Sequence, residues 1–357
     1  MNLLSNMTVI GSKNPDFLTD KIDLFYAGED DLTIERRGKK PFTYAIDGQT
    51  YNDRKRLTEI SKLAVPPAWE NVRIAAASNA HLQAVGRDAK HRKQYRYHPK
   101  WQRFRNRTKF AKLLLFGEHL PKMREQVEKD LTGDYWSKEK VLALIIKLME
   151  ETHIRIGNEQ YAKHNQTYGL TTLRKRHLAH ADRNLRFEFV GKRGKAHRIT
   201  LRNKRLIRLV NQCEEIPGWE LFKFYDEDGN KHSVESGMVN EYIQKHIGSL
   251  FSAKDFRTWA ASLVFYKHLK SAELKNVERD PQAKVRLALK EASRTLGNTM
   301  NVCRKYYVHP ALIVEYEKQP ERILHQEKIT RVPFLQETET EMMNFIELSD
   351  YKILNEA

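Results

Sequence analysis

The hydrophobic pattern changes once along this 357-residue chain, and the change limits the folds open to it. Residues 32–97 contain short alternating runs separated by turn signals such as Gly38 and Asp47-Gly48, a pattern typical of β-strands. From about residue 106, apolar residues recur at helical spacing, with a hairpin indicated at 185–201. The pattern predicts an α+β fold in which a small β-rich domain precedes a mostly α-helical one.

This pattern divides the chain into three parts. Residues 1–31 carry weak signals and are expected to be partly flexible, residues 32–105 form the β-rich domain, and residues 106–357 form the helical domain. We expect the first helix of the helical domain to break at Gly117 and Pro121, because proline lacks an N–H and clashes with the preceding turn.

Capping residues indicate where several helices begin and end. Ser137 and Thr299 are predicted N-caps, since their hydroxyl groups can accept a backbone N–H. Gly297 is the predicted end of a helix over 281–298, and the acidic tail after residue 330 is expected to contain a further helix. A short amphipathic helix is also predicted over residues 53–64.

The charge of the chain favours a polyanionic partner. The net charge is +17 and the pI is about 9.6, which indicates nucleic acid first and an anionic membrane surface second. Between Gly86 and Lys112 the basic residues are Arg87, Lys90, Arg92, Lys93, Arg96, Lys100, Arg103, Arg105, Arg107, Lys109 and Lys112. Asp88 is the only acid there, and Tyr95, Tyr97, Trp101 and Phe104 interleave with the cations. A second basic block lies between Arg174 and Arg208, so we expect two surfaces that hold a duplex.

The sequence also argues against several classes of protein. Cys213 and Cys303 are too few for a disulfide scaffold, and no segment approaches the roughly 20 apolar residues of a membrane span. There is no phosphate-binding GxxxxGK[ST] loop, and the carboxylates are not clustered as Mg²⁺ requires. His177 and His180 lie in a loop-like region without a third metal ligand. We therefore predict a cytoplasmic, nucleoid-associated protein that uses no metal or other cofactor.

Phosphoryl transfer without a metal remains open to such a chain. It needs a nucleophile, cations on the non-bridging oxygens and an acid for the leaving oxygen. Tyr306 and Tyr307 follow Arg304 and Lys305, and a tyrosine nucleophile conserves phosphodiester energy in a covalent link. The local chemistry leaves both tyrosines as candidates.

Five stretches resemble, in order, the signatures of type IB DNA topoisomerases of the bacterial, poxvirus-like branch. The stretches are GRDAKHRKQYRYHPKW (86–101), IRIGNEQYAKHNQTYGLTTLR (154–174), FVGK (189–192), KDFRTWAAS (254–262) and LGNTMNVCRKYYVHP (296–310). The resemblance covers about residues 32–315 and implies an enzyme that relaxes supercoiled DNA. It would cut one strand through a 3′-phosphotyrosyl intermediate and reseal it without ATP or metal.

The resemblance also implies a catalytic set. Arg155 and Arg257 would hold phosphate oxygens, and Lys192 would protonate the leaving 5′ oxygen, with Lys195 as its rival. Lys192 needs a lowered pKa for this role, which nearby Arg155 and Arg257 would supply. Asn298 stands where many members have histidine, so it would donate a hydrogen bond but move no proton. Tyr307, nine residues later, would be the nucleophile, and Tyr306 would be its packing neighbour.

Further residues would bind the duplex by the same resemblance. They are Arg87, Lys90, Arg92, Lys93, Gln94, Tyr95, Arg96, Tyr97 and Tyr161. The implied architecture is a monomeric C-shaped clamp with a catalytic domain of the tyrosine recombinase/topoisomerase IB type. Its partner would be double-stranded DNA, without an obligate protein partner or a membrane.

Two alternatives predict different behaviour. A tyrosine site-specific recombinase shares much of this chemistry, but it usually carries His-x-x-Arg where this chain has Lys254 before Arg257. A non-catalytic basic DNA-binding protein would show salt-sensitive binding without a covalent adduct.

Overall fold

Two compact units make up the protein in the computed structural model, which describes residues 15–181, 183–275, 280–324 and 331–349. The division between the units falls between Ala111 and Lys112.

A six-stranded antiparallel sheet forms most of the first unit, with strand order β3-β2-β1-β4-β5-β6. The strands are β1 (Ile34–Arg37), β2 (Thr43–Ile46), β3 (Gln49–Thr50), β4 (Glu70–Ile74), β5 (Leu82–Arg87) and β6 (Lys93–Tyr97). The helices of this unit are α1 (Pro15–Asp20) and α2 (Arg54–Lys62). Ile60 of α2 packs with Ile34 and Ile74 of the sheet, which confirms the amphipathic helix predicted over 53–64.

The second unit is mostly helical and contains two small antiparallel sheets. Its helices are α3 (Pro99–Asp130), which begins in the first unit, α4 (Lys138–Thr152), α5 (Glu159–Asn165), α6 (Lys204–Glu215), α7 (Ser236–Ile247), α8 (Ala253–Lys275), α9 (Pro281–Leu296), α10 (Met300–Tyr306), α11 (Pro310–Lys318) and α12 (Glu337–Glu347). One sheet has the order β7-β8-β9 and the other pairs β10 with β11. Their strands are β7 (Leu178–Ala181), β8 (Asn184–Gly191), β9 (Lys195–Leu201), β10 (Lys223–Tyr225) and β11 (Lys231–Ser233).

Helix α4 lies at the centre of the second unit. Residues 141–146, VLALII, are all buried, so the helix is covered on every side. The end of α4 therefore has a fixed position, and Arg155 follows it after three residues. The central helix thus positions one of the predicted catalytic groups.

The predicted break in α3 is wrong. The helix begins at Pro99 rather than near residue 106 and continues through Gly117 and Pro121 to Asp130. A Cβ on Gly117 would come within 2.6 Å of Trp259 and 2.7 Å of Met343, so this glycine permits close packing. Burial of neighbours such as Leu120 outweighs the cost of about 3 kcal/mol for an interior proline.

Most of the predicted helix ends are confirmed. Ser137 accepts from Lys140 N at 3.2 Å, and Thr299 accepts from Val302 N at 3.3 Å. Gly297 ends α9 with a left-handed φ of 64°. The hairpin predicted over 185–201 is formed by β8 and β9. The loop predicted around His177 and His180 is wrong, because Leu178–Ala181 pairs with β8 as a strand.

The acidic tail contains the predicted helix, α12, and a buried ion pair attaches it. Arg124 donates from both terminal nitrogens to Glu339, at 2.7 and 2.8 Å, and Trp259 Nε1 donates to the same carboxylate at 2.9 Å. Of the weakly structured N-terminal segment predicted over 1–31, residues 1–14 lie outside the described residues. From Pro15 the chain is ordered into α1, and Leu18 and Leu24 are buried with Trp101.

Candidate active site

Arg155 lies on a tightly packed loop that follows α4. His153 ends the helix with a left-handed φ of 55°, and Arg155 O accepts from Leu170 N at 2.8 Å. A Cβ on Gly169 would come within 2.5 Å of that same oxygen. The loop backbone is therefore held closely, which limits where the arginine side chain can reach.

Arg257 joins two of the segments that carry catalytic candidates. Its guanidinium donates to the backbone oxygen of His153, two residues before Arg155. It also donates to the backbone oxygen of Leu296, at 2.8 Å, two residues before Asn298. The side chain is only 7% exposed, so one buried cation fixes the ends of α4 and α9 relative to each other.

Asn298 is oriented by Arg155. The terminal nitrogen of Arg155 donates to Asn298 Oδ1 at 2.6 Å. Since the amide oxygen faces Arg155, the amide nitrogen faces away from it. The Cys303 thiol lies beside this buried nitrogen, and no oxygen or nitrogen atom of the protein accepts a hydrogen bond from it. The residue therefore presents a neutral donor, in agreement with the chemistry expected of an asparagine here.

The two tyrosines differ in their surroundings. Tyr307 packs against the hydrophobic core, and the Arg257 guanidinium carbon lies 5.7 Å from its ring centroid. Its backbone oxygen accepts from Ser262 Oγ at 3.3 Å. Tyr306 is 40% exposed, and Lys305 Nζ lies 5.4 Å from its ring centroid. The expectation that Tyr306 is the packing neighbour is wrong, because Tyr307 is the tyrosine that packs inward.

The electrostatics also single out Tyr307. Burial raises the pKa of its phenol, but the charges of Arg257 and Arg155 and their hydrogen bonds outweigh burial, so the pKa is lowered. Burial and the neighbouring charge of Arg155 lower the pKa of Arg257, which remains a cation at neutral pH. The phenolate of Tyr307 is therefore stabilised by two guanidinium groups.

Lys192 begins the turn between β8 and β9. The residue as a whole is exposed, yet its ammonium is partly desolvated. This desolvation, followed by the charge of Arg155, lowers the pKa of Lys192, whereas the Tyr307 phenolate acts to raise it. The lowered pKa agrees with the expectation, but desolvation is the first cause and Arg257 is not among the main ones. Arg155, Lys192 and the end of α9 at Gly297 line one pocket of about 190 Å³.

Comparison with known proteins identifies the family. The family described as eukaryotic DNA topoisomerase I, catalytic core, matches residues 98–332. The family described as bacterial DNA topoisomerase IB, N-terminal domain, matches residues 41–88. The DNA topoisomerase 1B of Acanthamoeba polyphaga mimivirus is 32% identical over 308 residues, 84% of this chain and 92% of that protein. The chain belongs to the type IB DNA topoisomerase family.

Two further viral relatives extend the comparison. The DNA topoisomerase 1 of rabbit fibroma virus (strain Kasza) is 26% identical over 75% of this chain and 87% of its own length. The DNA topoisomerase 1B of vaccinia virus (strain Copenhagen) is 24% identical over 64% and 70% respectively. The resemblance to the bacterial, poxvirus-like branch is therefore confirmed, and this protein is an isomerase that acts on DNA.

The duplex-contacting residues predicted in the first unit of this topoisomerase lie on one hairpin. Arg87 and Lys93 are paired across β5 and β6, with Lys90 and Arg92 in the turn between these strands. Strand β6 forms one edge of the sheet.

Several of these side chains have partners within the protein. Arg92 Nε and Gln94 Nε2 donate to Asp88 at 2.9 and 3.0 Å, and Lys93 pairs with Glu29. Arg96 donates to the backbone oxygen of Ala64 at 2.7 Å. These contacts orient the polar side chains along the hairpin.

The aromatic candidates divide into exposed and packed groups. Tyr95 is 43% exposed, whereas Tyr97 packs against the core of the first unit, as do Trp101 and Phe104. In the second unit, Tyr161 of α5 is 55% exposed. Tyr95 and Tyr161 are therefore the aromatic candidates most available to a ligand.

Some groups in the candidate site carry no signal in the sequence. The backbone oxygens of His153 and Leu296 hold Arg257, and His197 of β9 lies beside the pocket. A backbone oxygen is present at every position, so residue types give no sign of this role. Within the described residues, no group of three or more His, Cys, Asp or Glu side chains is placed to hold a metal, and no helix is long and apolar enough to span a membrane.

Proposed function

We propose that Tyr307 is the nucleophile with which this topoisomerase cuts one strand of duplex DNA. The observation that carries the proposal is the position of Tyr307 beside two guanidinium groups that lower the pKa of its phenol. The phenolate oxygen attacks the phosphorus, a 3′-phosphotyrosyl bond forms, and the bond from phosphorus to the 5′ oxygen breaks.

The charge that develops on the phosphate is stabilised by three donors. Arg155 and Arg257 supply guanidinium cations, each of which can donate two hydrogen bonds at once. Asn298 supplies a neutral N–H from its amide nitrogen, which donates to no oxygen or nitrogen atom of the protein. Three donors on the non-bridging oxygens do the work that a metal ion does in other phosphoryl-transfer sites.

Lys192 protonates the leaving oxygen. The electron pair of the broken bond stays on the 5′ oxygen, which takes a proton from the Lys192 ammonium and leaves as a hydroxyl. A lowered pKa makes the ammonium a better acid, and desolvation beside Arg155 provides it. In the reverse step the neutral amine accepts the proton back while the 5′ oxygen attacks the phosphotyrosine.

The protein acts as a monomer on double-stranded DNA, and the β5–β6 hairpin contributes part of the contact. The net charge of +17 and the exposed Tyr95 beside basic residues support the contact with DNA. We expect binding to weaken steeply with salt, and sedimentation of the DNA-bound protein should report one protomer per site.

Plasmid relaxation in EDTA, with the trapped protein–DNA adduct mapped by peptide analysis, tests the nucleophile. Tyr307→Phe should abolish both relaxation and adduct, whereas the matched control Tyr306→Phe should retain the adduct on Tyr307. An adduct on Tyr306, or loss of the adduct only in Tyr306→Phe, would overturn the assignment.

A further inference from the structure

His197 lies between the two segments that carry Lys192 and Asn298. A Cβ on Gly191, the residue before Lys192, would come within 2.7 Å of the His197 ring. A Cβ on Gly297, the residue before Asn298, would come within 2.8 Å of the same ring. One imidazole therefore fills the space between the hairpin and the end of α9.

The absence of a side chain at Gly191 is explained by this ring. Gly191 has φ −101° and ψ −165°, a conformation that any residue adopts. Gly297 differs, since its φ of 64° favours glycine whatever lies nearby. Contact with His197 is thus the structural reason for glycine at residue 191, directly before the proposed general acid.

The ring has a fixed position within the hairpin. His197 and Phe189 are paired across β8 and β9, and their rings stack with centroids 5.1 Å apart at an interplanar angle of 15°. Burial, followed by the charges of Arg155, Lys195 and Arg257, lowers the pKa of His197, so the ring is neutral at pH 7. A neutral stacked ring is suited to packing rather than to binding an anion.

We propose that His197 is a positioning residue that sets the hairpin, and with it Lys192, at the correct distance from the end of α9. This inference rests on the proposed role of Lys192 as general acid. Proton transfer to the leaving oxygen needs hydrogen-bond distance, and a displacement of about 1 Å can cost on the order of 100-fold in rate. Removal of the ring would let the hairpin shift while the groups proposed to contact the phosphate stay chemically unchanged.

The test measures single-turnover cleavage of two substrates, one with the natural 5′ oxygen as leaving group and one with sulfur in its place. His197→Ala should slow cleavage of the oxygen substrate by roughly 10- to 100-fold. It should slow the sulfur substrate by less than about threefold, because sulfur leaves without a proton. His197→Phe preserves the stacked ring and should restore most of the rate, and the exposed His180→Ala is the matched control.

Gly191→Ala gives an independent route to the same displacement. Its Cβ should push the ring and hairpin apart, so it should also slow only the oxygen substrate. Combined with His197→Ala, it should add little further loss, since the ring that the added Cβ would meet is no longer there.

The outcomes separate this inference from the proposed function. If Lys192→Ala slows both substrates equally, the general-acid role fails and the inference fails with it. If sulfur rescues Lys192→Ala but not His197→Ala, only the positioning role fails. A normal rate for His197→Ala, or a Phe variant as slow as the Ala variant, also overturns the inference.

Discussion

The side chain of Arg155 fixes the amide of Asn298 through a hydrogen bond of 2.6 Å to Oδ1. This contact decides which end of the asparagine faces Arg155 and which end faces away from it. Many relatives are expected to have a histidine at this position, and the arginine makes the asparagine a donor of defined orientation. The amide has no labile proton, so it contributes hydrogen bonding alone.

Replacement of Asn298 by aspartate tests this orientation. Aspartate keeps the acceptor for Arg155 but places an anion where a donor faced the phosphate. Loss of one oxyanion donor costs about 100- to 1,000-fold in rate, and the added repulsion should make Asn298→Asp slower than Asn298→Ala. Single-turnover cleavage measures both variants, and an Asp variant as fast as the unaltered protein would contradict the donor role.

The pH dependence of cleavage should reveal the pKa values of Tyr307 and Lys192. The rate should rise as Tyr307 loses its proton and fall as Lys192 loses its own. The midpoint of each limb should lie below the ordinary pKa of its group, 10.0 for Tyr307 and 10.5 for Lys192, because the site lowers both pKa values. In Lys192→Ala, or with the sulfur leaving group, the falling limb should disappear, and its persistence would assign the acid to another residue.

Arg257→Lys should destabilise the fold as well as the reaction. A single ammonium lacks the planar fork that reaches both the His153 and Leu296 oxygens, which leaves a buried acceptor unpaired. We expect a loss of about 2–4 kcal/mol in the free energy of unfolding, measured by urea titration. Arg286→Lys on the exposed face of α9 is the control, with an expected change below about 0.5 kcal/mol. Equal urea midpoints of unfolding for the two variants would contradict a role of Arg257 in the fold as well as in the reaction.

Gly117→Ala should destabilise the protein, although alanine is the better helix former. Its Cβ would overlap Trp259 and Met343, and overpacking of this kind costs about 1–3 kcal/mol. Gly237→Ala, whose Cβ would meet only Glu241 Oε1 at 3.9 Å, should be neutral or stabilising by up to about 1 kcal/mol. Thermal unfolding compares them, and a stabilised Gly117→Ala would show that the packing can adjust.

Local signals predicted the helix ends because the chemistry of a cap lies within four residues. Ser137, Thr299 and Gly297 each act on their own backbone segment, so sequence alone suffices. The helix break predicted at Gly117 and Pro121 was wrong for the opposite reason. Gly117 is suited to the helix because Trp259, more than a hundred residues later in the chain, packs against it. Pro121 is tolerated because its neighbours are buried in the core, and neither contact follows from the local sequence.

The candidate site likewise contains residues that the sequence could indicate and contacts that it could not. Residue types and a family resemblance led to Arg155, Lys192, Arg257, Asn298 and Tyr307 as candidates. The partners of Arg257 are backbone oxygens, and the role of His197 depends on two distant glycines. Such contacts are properties of three-dimensional packing, so only the structure supplies them.

The short helix α10 connects Asn298 to Tyr307, and both residues lie just outside its ends. On the proposed chemistry, the broken strand is bonded to the same rigid segment that carries one of its oxyanion donors. The phosphate therefore stays with that donor while the free end rotates, and resealing retraces the cutting step by microscopic reversibility. The helix therefore keeps the nucleophile and this donor in one relative position, so the bond is remade in the geometry in which it was broken.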